Sequence, residues 1–152
     1  MKSRAIRPRP LPPEGAVFIS LLRTAASLSL EAEQLLKTHG LYPEQYNVLR
    51  ILRGAEPAGC ACREIGERMI SRDPDMTRLL DRLEGRGLLT RARQKDDRRV
   101  VKTRITPAGL EILVRLDRPV RELHKRQFRH MSAGRLKALA GMLEEARARA
   151  PE

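Results

Sequence analysis

Four consecutive charges, Asp96, Asp97, Arg98 and Arg99, head the stretch QKDDRRVVKTRITPAG, Gln94 to Gly109. Adjacent guanidiniums can enter a narrow, electronegative minor groove or grip phosphates. A carboxylate at the same place is repelled by a polyanion, so Asp97 is read as orienting a neighbouring arginine while Arg98 and Arg99 touch the duplex. A second group lies upstream, where Arg72, Asp75, Thr77, Arg78 and Arg82 cluster around the start of a helical stretch. An arginine there can be bidentate to guanine, and a threonine methyl can meet the thymine methyl. The plainer alternative for both groups is a solvated surface, with Arg78 and Arg82 paired to Asp75 and Asp81 and the four charges making a soluble turn.

Other chemistry finds no support. The chain has no nucleophile elbow, phosphate loop or metalloprotease motif, so it is read as a non-enzyme that needs no cofactor. His39, His124 and His130 show no spacing suited to a metal, and no Cys or carboxylate cluster completes one. Cys60 and Cys62, one residue apart, do not make a disulfide framework and are read as small buried hydrophobes. Arg63 and a helix start beside Cys62 are conditions that lower a thiol pKa, but a structural cysteine is the preferred reading.

The partner suggested by charge is anionic. In 152 residues there are 31 Lys and Arg against 19 Asp and Glu, a formal net charge of +12, which favours nucleic acid or an anionic surface through summed field and counterion release. Positive charge is concentrated in the middle of the chain, where residues 63 to 104 hold 13 Lys and Arg against 8 Asp and Glu while residues 11 to 62 hold 4 against 5, but it is also high in the first residues and in residues 115 to 130. No uninterrupted run of about 18 apolar residues exists, so no segment is expected to span a membrane. The basic start MKSRAIRPRPLPPEG lacks the apolar region of a secretory signal, which suggests a cytoplasmic protein.

The elements that must position these groups follow from patterning. Aromatics are scarce, with two Phe, two Tyr and no Trp, so the core must come from aliphatic residues that mostly suit helices. Residues 1–13, with four positive charges and four prolines, have the composition of a flexible arm. From Pro13, Val17, Leu21, Leu22, Leu28, Leu35 and Leu36 recur at helical spacing until Gly40 stops the run. Pro43 opens a second helix carrying Tyr46, Leu49, Ile51 and Leu52 as far as Gly54. GAEPAG is a loop, and a short helix runs from Arg63 to Ile70. Asp73 as cap and Pro74 at the first position predict the start of a fourth helix, with Met76, Leu79, Leu80 and Leu83 as its apolar stripe. LLTRAR and VVKTRI then form a hairpin with QKDDRR at its tip. Thr106 caps and Pro107 opens a long helical region with a kink at Pro119, and Ser132 begins the last helix.

This order of helix, short helix, turn, helix and hairpin is the connectivity of a winged helix-turn-helix. The phrases LYPEQYNVLRIL, REIGERM, DMTRLLDRLEGRGLLTR and DDRRVVKTRITPAG, in that order, resemble the MarR-type transcriptional regulators from about Glu14 to Arg149. The chain departs from that pattern at Tyr42, Ala61 and Cys62, where polar caps are usual, and has no cysteine near the start of the first helix, where redox-sensing members carry theirs. The resemblance implies a mainly α (α+β) fold, a winged helix-turn-helix with N- and C-terminal dimerisation helices and a two- to three-stranded wing. Its parts would be a dimerisation helix at 14–40, the DNA-binding domain at 41–105 and further dimerisation helices at 106–150. It implies a homodimer on palindromic double-stranded DNA, acting as a repressor and released by a small molecule of unknown identity bound between the dimer helices and the winged domain. A winged-helix protein-interaction module and a nonspecific nucleic-acid-binding protein are the alternatives.

Overall fold

The computed structural model describes residues 11–71, 75–93 and 101–148. Arg72 and the tip residues Asp96, Asp97, Arg98 and Arg99 lie outside the described residues. The order is α1 (Pro13–Lys37), α2 (Pro43–Gly54), β1 (Cys60–Ala61), α3 (Cys62–Arg68), α4 (Met76–Gly85), β2 (Leu89–Arg93), β3 (Val101–Ile105), α5 (Pro107–Gln127) and α6 (Ala133–Arg147). The strands make one antiparallel sheet in the order β1-β3-β2, so the wing has three strands. Leu89 faces Ile105 and Arg91 faces Thr103 across β2 and β3, while Cys60 faces Thr103 on the other side.

Local chemistry sets the helix starts. Where Tyr42 and Ala61 offer no capping hydroxyl, the third residue of each helix supplies the acceptor instead. The Tyr42 amide donates to Gln45 Oε1 at 3.1 Å, and the Ala61 amide to Glu64 Oε2 at 2.6 Å, each satisfying an otherwise orphaned donor. Thr106 and Ser132 cap α5 and α6 as expected, accepting from the Gly109 and Arg135 amides. Pro119 stands inside α5, which runs on as one helix to Gln127.

Two expectations are corrected. The cap of α4 is Asp75, not Asp73: its carboxylate accepts from the Arg78 amide at 3.2 Å, the bond an N-cap makes to the third helical residue. Cys60 is buried but Cys62 is exposed, because pairing to Thr103 turns Cys60 inward and Cys62 is already the first residue of α3. By length and composition alone α1 is apolar enough to cross a membrane, although Arg23 and scattered serines interrupt its apolar run.

One aliphatic core joins the reading elements. Val48, Leu49 and Leu52 of α2, Ile65 of α3, Leu79, Leu80 and Leu83 of α4, Leu89 of β2 and Leu113 and Leu116 of α5 are all buried in a single cluster. Each buried leucine contributes about 1.5–3 kcal/mol. Arg53 at the end of α2 grips Asp117 of α5 through both oxygens at 2.9 to 3.0 Å, tying the winged domain to the long helix. The C-terminal part of α1 rests on the end of α5, where Gln127 Nε2 donates to the Leu28 carbonyl at 3.1 Å. Elsewhere α1 is bare, with Val17, Phe18, Leu22 and Leu30 all more than half exposed, and α6 buries no residue.

Among the described residues, the hydroxyl of Thr103 is buried without a hydrogen-bond partner. An orphaned buried hydroxyl costs about 1–3 kcal/mol, so Thr103→Val, which keeps the shape, is expected to raise stability by about 1 kcal/mol. Chemical denaturation of the two proteins side by side measures this, and a loss of stability would mean that the hydroxyl is satisfied.

Candidate nucleic-acid interface

The helix α4 is built to present one face. Leu79, Leu80 and Leu83 bury the inner side, and Thr77, Arg78, Asp81 and Arg82 are exposed on the outer one. The Arg78 side chain is 73% exposed, and its Nε lies 3.4 Å from Asp75 Oδ2. Asp75 therefore both caps the helix and steadies the arginine one turn later.

A cleft of about 360 Å³ separates the start of α2 from α4, lined by Tyr42, Glu44, Gln45, Asp75, Arg78, Leu79 and Arg82. Lys37 sits over the Tyr42 ring at 5.6 Å, and Arg86 donates to Gln45 Oε1 at 3.4 Å. Cations thus ring the side of α4 that continues toward α2.

On its other flank α4 is bound to the wing. Arg91 of β2 meets Glu84 through Nε at 2.9 Å and a terminal nitrogen at 2.6 Å, and meets Asp81 Oδ1 at 2.5 Å. The Arg91 amide also donates to Glu84 Oε1 at 3.0 Å. These bonds, the side-chain ones first, hold the Glu84 carboxyl below the usual carboxylate range and raise the Arg91 guanidinium further. Strand β3 is tied to α3, where Lys102 Nζ lies 3.3 Å from Glu64 Oε2. The Ala61 amide first, and Lys102 after it, lower the Glu64 carboxyl.

Of the sequence-derived residues, Asp75, Thr77, Arg78 and Arg82 come together on or beside α4. Arg72, Asp97, Arg98 and Arg99 fall outside the described residues, although β2 and β3 deliver the chain to the tip from Arg93 and Val101. Arg91 was missed. A signal for it existed: it follows buried Leu89 by two and so shares that inward side of β2, where an arginine requires a carboxylate partner.

A model of the MarR family matches residues 41–101. The HTH-type transcriptional repressor IacR of Pseudomonas putida is 31% identical over 127 residues, covering 84% of this chain and 75% of the relative. The chain belongs to the MarR family. A crystal structure of a MarR transcription factor from Planctomyces limnophilus is 39% identical, with a TM-score of 0.67 over 91% of this chain and 98% of that one. A cysteine-to-serine variant of Escherichia coli MarR complexed with operator DNA shares the fold at a TM-score of 0.79 and 21% identity, over 88% of this chain and 94% of that one. This MarR-family chain is accordingly a transcriptional regulator and not an enzyme. The winged helix-turn-helix expected from its connectivity is the fold it has.

Proposed function

We propose that this MarR-family regulator is a sequence-specific repressor that binds palindromic double-stranded DNA as a homodimer in the cytoplasm. The observation that carries the reading is the outer face of α4, where Thr77, Arg78 and Arg82 project from a helix immobilised by three buried leucines. Base reading needs donors that are both exposed and held in register, and α4 supplies both. Arg72, which precedes the helix in sequence, is assigned a phosphate contact. Arg98 and Arg99, carried by the hairpin, contact the flanking minor groove or backbone, with Asp97 orienting one of them.

Residues 41–105 serve as the reading head, while 14–40 and 106–150 build the dimer body. The bare apolar side of α1 and the unburied α6 favour a two-fold partner, which places two copies of α4 about 34 Å apart on successive major grooves. The repressor IacR sets the expected direction of control. A small ligand weakens binding by favouring a head spacing that no longer matches the grooves, which requires unequal affinity for the two arrangements.

Selection of bound duplexes from a random pool tests the class, and an enriched palindrome is expected. On that palindrome, Arg78→Ala should cost about 1–3 kcal/mol per half-site and relax one base position in each half. Unchanged affinity with unchanged base preference would remove Arg78 from direct readout. Equal affinity for random and selected duplex at one salt concentration would leave a nonspecific binder.

A further inference from the structure

Arg91 points at α4 and holds together the two surfaces that the proposed reading presents to a duplex. Its guanidinium is only a quarter exposed and bridges two carboxylates one turn apart on α4. Asp81 stands on the outward face of that helix, three residues after Arg78 and next to Arg82. An unpaired carboxylate there would lie among the groups facing phosphate. Glu84, meanwhile, takes the Arg91 backbone amide on the open edge of β2, the side of that strand not paired to β3. The contact is therefore made by both the main chain and the side chain of one residue, a geometry that fixes rotation as well as distance.

We propose that Arg91 is a positioning residue for DNA recognition, locking the wing to the recognition helix through Glu84 and masking the Asp81 carboxylate from the duplex. The proposal rests on the reading of α4 as the DNA-contacting helix. Only three residues, Arg86 to Leu88, link α4 to β2, and Gly87 takes a φ of +68° among them. The Arg91 bridge sits beyond that turn and sets the angle at which the wing leaves the helix. With the bridge intact, the outer face of α4 and the strands β2 and β3 meet one duplex in fixed register. Without it, each can bind, but not in a single shared geometry.

The test uses the full-length protein, the selected operator duplex and a random duplex of equal length, with affinities measured by fluorescence anisotropy over a salt series and folding followed by circular dichroism. Arg91→Lys keeps the charge but cannot make the bidentate bridge. It is expected to bind random duplex as the wild type does and to lose about tenfold in operator preference, the size of one misplaced base contact. Arg91→Ala is expected to lose affinity for both duplexes, because Asp81 and Glu84 are then uncompensated. Adding Asp81→Asn and Glu84→Gln to Arg91→Ala should restore random-duplex affinity while operator preference stays low.

Full operator preference in Arg91→Lys, or its full recovery in the neutral triple variant, overturns the positioning role. Variants that fail to fold at the assay temperature overturn it as well, since Arg91 would then be structural. A wild type with no preference for any duplex instead sinks the DNA-reading function, and the role of Arg91 with it.

Discussion

Gly109→Ala is expected to lower stability by about 3 kcal/mol, although alanine is the better helix former by roughly 0.5–1 kcal/mol. A Cβ at Gly109 would lie 2.3 Å from the Leu88 carbonyl oxygen and 2.7 Å from Ile105 Cγ1. The first of these is backbone and cannot rotate away. It is also pinned, because the Leu88 carbonyl accepts the Thr106 amide at 3.1 Å, while the Thr106 hydroxyl donates to the Gly87 carbonyl at 2.6 Å and accepts the Gly109 amide at 3.1 Å. The methyl group must therefore push α5 away from the root of the wing. Gly66, inside α3, is the control: a Cβ there meets nothing within 4 Å, so Gly66→Ala should stabilise by about 0.5–1 kcal/mol. Denaturant titrations of the two variants should move in opposite directions. A Gly109→Ala protein as stable as the wild type would mean that the junction between wing and long helix is loose.

That junction shows what patterning reveals and what it does not. The ITPAG phrase announces a capped helix through Thr106 and Pro107, and α5 begins there. Nothing in the phrase says that Gly109 is small because a carbonyl from another element crosses it. The stripes on α2 and α4 were legible because several large aliphatic residues at helical spacing have one physical meaning. The two-residue strand β1 was not, since Cys60 and Ala61 are too few to alternate, and their strand character comes from pairing with β3. The start of α4 was ambiguous for a different reason. Asp73, Pro74 and Asp75 each carry a start signal, and only the Asp75 bond to Arg78 decides between them.

The candidate interface divides along the same line. Thr77, Arg78 and Arg82 could be placed from sequence, since an amphipathic helix exposes whatever it does not bury. Arg91 depended on a contact between a strand and a helix that no single periodicity contains. Its ion pairs with Asp81 and Glu84 also change the electrostatic balance of α4, turning two apparent liabilities into part of the wing attachment. Charge counted along the chain is thus a poor guide to charge presented on the face.

On the proposed dimer, replacing Phe18 and Leu22 of α1 together by Asp is expected to give monomers and to reduce operator affinity by about 10²–10⁴, the gain that linked binding sites normally provide. Phe18 is 61% and Leu22 53% exposed in the single chain, four residues apart on one side of the helix. Val17 and Leu30 extend the patch, and exposed apolar surface of this extent marks an interface in a soluble protein. Two carboxylates buried against a partner would cost several kcal/mol each, more than the local packing can offset. The reading head should survive, because the core takes only Leu36, near the far end of α1, and neither Phe18 nor Leu22 belongs to it. Sedimentation would report the mass, and binding to a duplex with one half-site should change little while binding to the full palindrome collapses. Since α1 could also cross a bilayer by length and composition, the wild type belongs in a vesicle flotation experiment too. Wild-type protein that floats with vesicles, or a variant that keeps the mass of the wild type, would show that this face of α1 serves something other than a second copy of the chain.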